Sequence, residues 1–210
     1  MRRLIVNADD LGYDPEIDRG ILEAHTRGLV TSTTAMVDTP FAAAALRAAP
    51  ASLGVGLHLV LVDGLDGAAV AAELRRQLER FRALRGAGPT HLDSHRHAHA
   101  RPEALAAVAD VASQFGLPVR ALDEAMRSTL RARGLRTTDA FLGDAALRPC
   151  WTLARLLSAL VELGAGPAGT AELMAHPGHA PSSVRTSFGV EREVELAALC
   201  APEARAALAR

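Results

Sequence analysis

Short apolar runs that stop at polar residues alternate along this chain with segments whose apolar positions recur every three or four residues. The branched residues Leu4, Ile5 and Val6 lead into Asn7-Ala8-Asp9-Asp10, so residues 4–10 read as a buried strand ending in two carboxylates. Residues 15–28 place Ile17, Ile21, Leu22 and Ala24 on one helical face, with Gly28 where a terminating glycine is expected. The same reading gives strands over 29–37, 55–62, 90–94, 117–122 and 170–175. Helices are expected over 41–49, 68–84, 102–115, 123–133 and 151–163, and over 191–210 with a break at Pro202. Residues 164–169 form a loop in this reading. Such regular alternation predicts an α/β fold with a mostly parallel sheet. Both a closed barrel and an open doubly wound sheet satisfy the pattern.

The polar residues locate a site. Asp9, Asp10, His58, Asp93, the run His95-Arg96-His97-Ala98-His99 and His176 all fall at or just beyond the downstream ends of expected strands. In a parallel sheet those ends share one face, where ligands of α/β proteins gather. One carboxylate and two imidazoles with open positions would suit a catalytic divalent cation. His58 interrupts the apolar run Gly54-Val-Gly-Leu-His-Leu-Val-Leu, so it must be hydrogen-bonded or ligated. A core histidine bonded to a carbonyl remains the plainer alternative for that position. If residues 95–99 are extended, His95, His97 and His99 share one face. Asp93 is placed to orient a ligand imidazole through its other ring nitrogen. His25, among Glu23, Thr26 and Arg27, reads as solvated surface, whereas His176-Pro-Gly-His179 opens a loop that is as readily functional as structural.

Composition narrows the classes. With 49% hydrophobic and 22% charged residues, the 210-residue chain reads as a globular domain spanning 1–210. A formal net charge of −1 gives no general attraction to nucleic acid or anionic lipid, and 3% aromatic residues supply few base-stacking platforms. Cys150 and Cys200 lack metal-motif spacing and allow at most one bridge, which points to a reducing cytoplasm. The apolar run after Arg2-Arg3 stops at Asn7, too short for a secretion signal, and no stretch approaches a membrane span.

Several motifs in order resemble one family. These are Asn7-Ala-Asp-Asp10-Leu-Gly, Gly20-Ile-Leu-Glu-Ala-His, Gly28-Leu-Val-Thr-Ser-Thr-Thr, Gly56-Leu-His58-Leu, Thr90-His-Leu-Asp-Ser-His95-Arg-His-Ala-His99 and Met174-Ala-His176-Pro-Gly. Together they are similar to the YdjC/ChbG carbohydrate deacetylases, which include chitooligosaccharide deacetylases. The resemblance implies a distorted (β/α) barrel of the polysaccharide-deacetylase type; as a departure from the family, the sequence shows no further closing strand after its last helix, so an open or incomplete barrel is expected at that end. It implies a metal-dependent hydrolase that removes acetyl groups from N-acetylated amino sugars, with a homodimer expected by analogy. Carried onto this sequence, Asp10, His58 and His95 would be the metal ligands, Asp9 the general base and His176 the acid or oxyanion partner. Arg120, His97 and His99 would line the substrate site. The family resemblance suggests Mg2+, whereas two imidazoles favour Zn2+ or another transition ion. The chain departs from the family in a short connection between His58 and Thr90 and in Ala140, where related sequences often carry His. Two other readings use the same residues: a silent sugar- or metal-binding protein, and a metal-dependent phosphatase or esterase. Pure binding needs no base such as Asp9. Phosphate chemistry would rely on Arg96, Arg101 or Arg120, because the chain has no lysine.

Overall fold

The computed structural model describes residues 3–143 and 149–208. Arg2, and the last two positions of the expected C-terminal helix, lie outside the described residues. Six parallel strands curl in the order β4-β3-β2-β1-β6-β5. They are β1 (Arg3–Leu11), β2 (Ser32–Ala35), β3 (Gly54–Leu59), β4 (Leu92–Ser94), β5 (Ala140–Leu142) and β6 (Thr170–Ala175). Between and after them lie α1 (Pro15–Arg27), α2 (Ala42–Ala48), α3 (Gly67–Arg85), α4 (Pro102–Gln114), α5 (Glu124–Ala132), α6 (Leu153–Ala165), α7 (Glu191–Cys200) and α8 (Pro202–Leu208). Each crossover stacks an apolar helix face on the sheet: Ile17, Ile21 and Ala24 of α1 and Leu74, Leu78 and Phe81 of α3 are buried with Val6, Ala8, Val55 and Leu57. The result is the distorted barrel that the family resemblance implies. No described helix is long and apolar enough to cross a membrane.

Two strands differ from the sequence reading. The expected strand over 117–122 contracts to a single parallel bridge, Leu92 with Val119, and Pro118 has no N–H to extend a ladder. Val119 also donates to the Arg136 carbonyl at 3.1 Å, so this segment bridges part of the gap between β4 and β5. Conversely β5 has only three residues, all half-buried, and its pattern is too short to register as a period. His25 also departs from its expected role. It is half-buried, with Nδ1 at 2.8 Å from the Val30 carbonyl and Nε2 at 2.9 Å from Ser52 Oγ.

Close backbone approach fixes where the loop after β6 lies. A Cβ on Gly20 of α1 would stand 2.4 Å from Gly178 Cα, and a Cβ on Gly178 would meet Arg192 Cδ at 3.1 Å. The loop carrying His176 is therefore wedged between α1 and α7. Gly20→Ala is expected to lower unfolding free energy by about 1–3 kcal/mol through overpacking. Gly164→Ala, in α6 with open space around it, should be neutral or stabilising by up to about 1 kcal/mol. Urea denaturation of both variants checks the contrast.

Candidate metal centre

Alternation along β1 would send Asp9 and Asp10 to opposite faces. Asp10 instead adopts φ 74°, and the pairing of β1 with β2 shifts register between Ala8 and Leu11. This left-handed kink turns both carboxylates into one cavity of about 190 Å³, shared with His58, His95, His97 and His176. A non-glycine residue in that conformation costs of order 1–3 kcal/mol and persists where its surroundings hold it.

Arg192 of α7 supplies that hold, donating from Nη2 to Asp10 Oδ2 at 2.6 Å. The other oxygen, Oδ1, is buried with no hydrogen-bond partner. It faces His58 Nε2 at 3.3 Å and His95 Nδ1 at 3.4 Å, and the three ligand atoms lie within 4.8 Å of one another. Neighbouring ligands bound at about 2.0–2.2 Å to one ion stand roughly 3–3.6 Å apart. An orphaned carboxylate oxygen between two imidazole nitrogens at that spacing fits a single cation. Behind His58, Asp93 accepts from Nδ1 at 2.7 Å, which fixes the ring and turns Nε2 toward Asp10.

Arg120 lies on the other side of Asp9, fully engaged. Its Nη1 and Nη2 donate to the two Asp9 oxygens at 2.8 and 2.7 Å, Nη2 lies 2.7 Å from Asp93, and Nε donates to Glu172 at 2.7 Å. A second acidic cluster, Asp9, His58 and Asp93, is also close enough for an ion. The Arg120 guanidinium bonds both of its carboxylates, so Asp10, His58 and His95 are the better candidates. Charge supports the same conclusion. Asp9, Asp10, Asp93 and Glu172 are paired with only two guanidiniums, Arg120 and Arg192, which leaves a deficit of positive charge that a divalent cation would offset.

Protons compete for that deficit. Burial disfavours charge on His58, but the Asp93 carboxylate and the Asp10 contact outweigh it and push the imidazole up to about 10. Burial would raise Asp9 and Asp10, yet Arg120 holds the first below the usual carboxylate range and Arg192 holds the second well below it. Burial pushes the Glu172 carboxyl up despite Arg120.

The structure brings together five of the residues singled out in the sequence, Asp9, Asp10, His58, His95 and His176, and His97 joins them at the rim. His176 stacks on Phe188 with ring centroids 4.8 Å apart, and its Nδ1 is buried without a partner. Arg120 and His99 do not reach the cavity. Arg120 spends its donors on carboxylates, and His99 bonds Ser94 Oγ at 2.6 Å and the Arg120 carbonyl at 3.1 Å. The shared face expected for His95, His97 and His99 fails because residues His95–Ala100 form a tight 3-10 turn with Arg96 and His97 both at φ 53°. Arg192 and Glu195 were not anticipated. Glu195 accepts from the backbone N–H of Cys150 at 2.8 Å and of His176 at 2.7 Å. Their signal was available: Arg192, Glu195, Leu196 and Leu199 form one buried stripe at i, i+3, i+4 and i+7 of α7.

The family described as YdjC-like protein matches residues 3–210. A carbohydrate deacetylase of Geobacillus stearothermophilus is 36% identical, covering 96% of this chain and 90% of its own. A chitooligosaccharide deacetylase of Serratia marcescens is 35% identical over 98% of this chain and 94% of that one. A crystal structure from Enterococcus faecalis, named there as a candidate cellobiose-phosphate cleavage protein, superposes with a TM-score of 0.90 at 26% identity. It covers 99% of this chain and 94% of that one.

In metal-free protein, His58 is expected to remain an imidazolium at pH 8 and to titrate near 10 by NMR. A midpoint near the ordinary 6.5 would contradict this geometry. The folded value lies above the unfolded one. The stability it contributes is therefore fully present below about pH 6.5 and is lost as pH rises through about 10.

Proposed function

The chain belongs to the YdjC-like protein family, and from that membership we propose that it is a metal-dependent carbohydrate N-deacetylase acting on an N-acetylated amino sugar. The deacetylase names of relatives at 35–36% identity support this reading. The observation that carries it is the pairing of an ion-sized gap at Asp10 Oδ1 with a second, ionised carboxylate, Asp9, in the same cavity. Pure binding needs no general base, and Asp9 offers an ionised carboxylate beside that gap.

Asp10, His58 and His95 would hold the ion. When bound, a divalent ion polarises the acetyl carbonyl and lowers the pKa of water from 15.7 toward about 7 in favourable cases. Two imidazole ligands favour Zn2+ or another transition ion, and Mg2+ is the alternative that the family resemblance suggests. Asp9 takes a proton from the attacking water. Arg120 keeps it ionised and, with the Asn7 side-chain amide at 2.8 Å, fixes its direction. Ionisation is what the base needs, although a carboxylate held this low gives a modest driving force. As the water oxygen bonds to the acetyl carbon, the C–N bond must break and the nitrogen must gain a proton. His176, anchored by the Glu195 bond to its backbone N–H and by Phe188 against its ring, would deliver that proton. Acetate and the free amine leave.

Asp9→Asn is expected to retain metal while acetate release from N-acetylated chitooligosaccharides falls about 10²–10⁴-fold, the range for general-base help. His58→Ala should lose both metal and turnover. Elemental analysis beside an acetate assay, with and without chelator, checks the pair. Equal metal loss in both variants would remove the division of roles.

A further inference from the structure

Arg192 carries more donors than the fold consumes. It is 1% exposed, with Nη2 on Asp10 Oδ2 at 2.6 Å and Nε on the Phe188 carbonyl at 3.3 Å. Its Nη1 is buried and has no hydrogen-bond partner. A buried donor left unmade is costly, and buried polar groups normally have partners. Arg120 provides the contrast, with its donors spread over three carboxylates.

The position of Arg192 is fixed. Its Cδ lies against the place a Gly178 Cβ would occupy, at 3.1 Å, and its Cζ sits 5.8 Å from the Phe188 ring centroid. The same side chain lines the cavity that holds Asp9, Asp10, His58, His95 and His176. Because Nη1 and Nη2 belong to one rigid guanidinium, a partner of Nη1 would lie close to the Asp10 carboxylate, whose other oxygen faces His58 and His95. The substrate atom that both a metal ion and a guanidinium attract there is an oxygen gaining negative charge. A neutral sugar hydroxyl would gain less from the second cation.

We propose that Arg192 is a catalytic residue whose Nη1 donates to the acetyl oxygen of the substrate; this rests on the deacetylase reading above. As the water oxygen bonds to the carbonyl carbon, the C=O pair moves onto that oxygen and strengthens the bond from Nη1. When the pair returns, the C–N bond breaks, the amine takes its proton, and acetate remains bonded to Nη1 until it departs. Through Nη2 the same residue keeps Asp10 Oδ1 turned toward the ion.

The test uses the metal-loaded full chain with Arg192→Lys and Arg192→Met. One ammonium can serve Asp10 but cannot reproduce the fork. Arg192→Lys should therefore keep its metal and a KM within a few-fold, while kcat falls about 10²–10³-fold, the loss typical of one oxyanion donor. Its affinity for acetate, measured by calorimetry, should fall at least about 10-fold on the same ground. Arg192→Met should lose metal as well. Unchanged kcat and acetate affinity in Arg192→Lys would overturn the proposal, as would a kcat loss fully restored by excess metal. Crystals of the unsubstituted protein soaked in acetate test it without any variant: an acetate oxygen within about 3 Å of Nη1 is expected, and acetate bound away from Arg192 overturns it. If the unsubstituted protein binds acetate at Nη1 yet releases none from N-acetylated sugars, the deacetylase reading fails and the catalytic role of Arg192 goes with it, leaving only a carboxylate-binding guanidinium.

Discussion

One guanidinium in the barrel interior sets the terms for everything around it. Arg120 is buried and bonds Asp9, Asp93 and Glu172 at once, each at 2.7–2.8 Å. Removing one partner of such a buried pair typically costs 3–5 kcal/mol, because the other charge stays behind unpaired. Two consequences reach the cavity through this group. Asp9 is held ionised and immobile, and Asp93 is fixed where it can grip His58 from behind. A barrel interior is normally packed with layers of branched apolar side chains. Here the layer below the cavity is ionic, with Arg120 set among Asp9, Asp93 and Glu172.

The second clamp comes from the far end of the chain. α7 sends Arg192 to Asp10 and Glu195 to the backbone N–H groups of Cys150 and His176. Strand ends supply the reactive groups, and this helix fixes two of them from the outside. The close contact of Gly20 with Gly178 completes the wedge. Asp9 and Asp10 at the end of β1 and His176 after β6 therefore depend on buried partners from elsewhere in the chain, and a change in α7 would be felt at both Asp10 and His176.

Much of this was legible in the order of residues. Polar groups stopping apolar runs marked the strand ends, and His58 inside an apolar strand could only be bonded or ligated; it proves to bond Asp93 and to face Asp10. What was not legible has physical causes. Alternation fails at Asp10, Arg96 and His97 because all three adopt positive φ, which no periodicity announces in residues other than glycine. The family resemblance put Arg120 at the substrate site; its partners Asp9, Asp93 and Glu172 lie on β1, β4 and β6, and only folding brings them together. Glu172 similarly sits in an apolar strand as a charge with no visible partner in sequence.

The account turns on whether Asp10, His58 and His95 grip one ion. Crystals grown with Zn2+ or Mn2+ and measured at the metal's absorption edge test this directly. A single anomalous peak about 2.0–2.3 Å from Asp10 Oδ1, His58 Nε2 and His95 Nδ1 is the predicted result. An ion bound elsewhere, or none beside an intact His58–Asp93 pair, would contradict it.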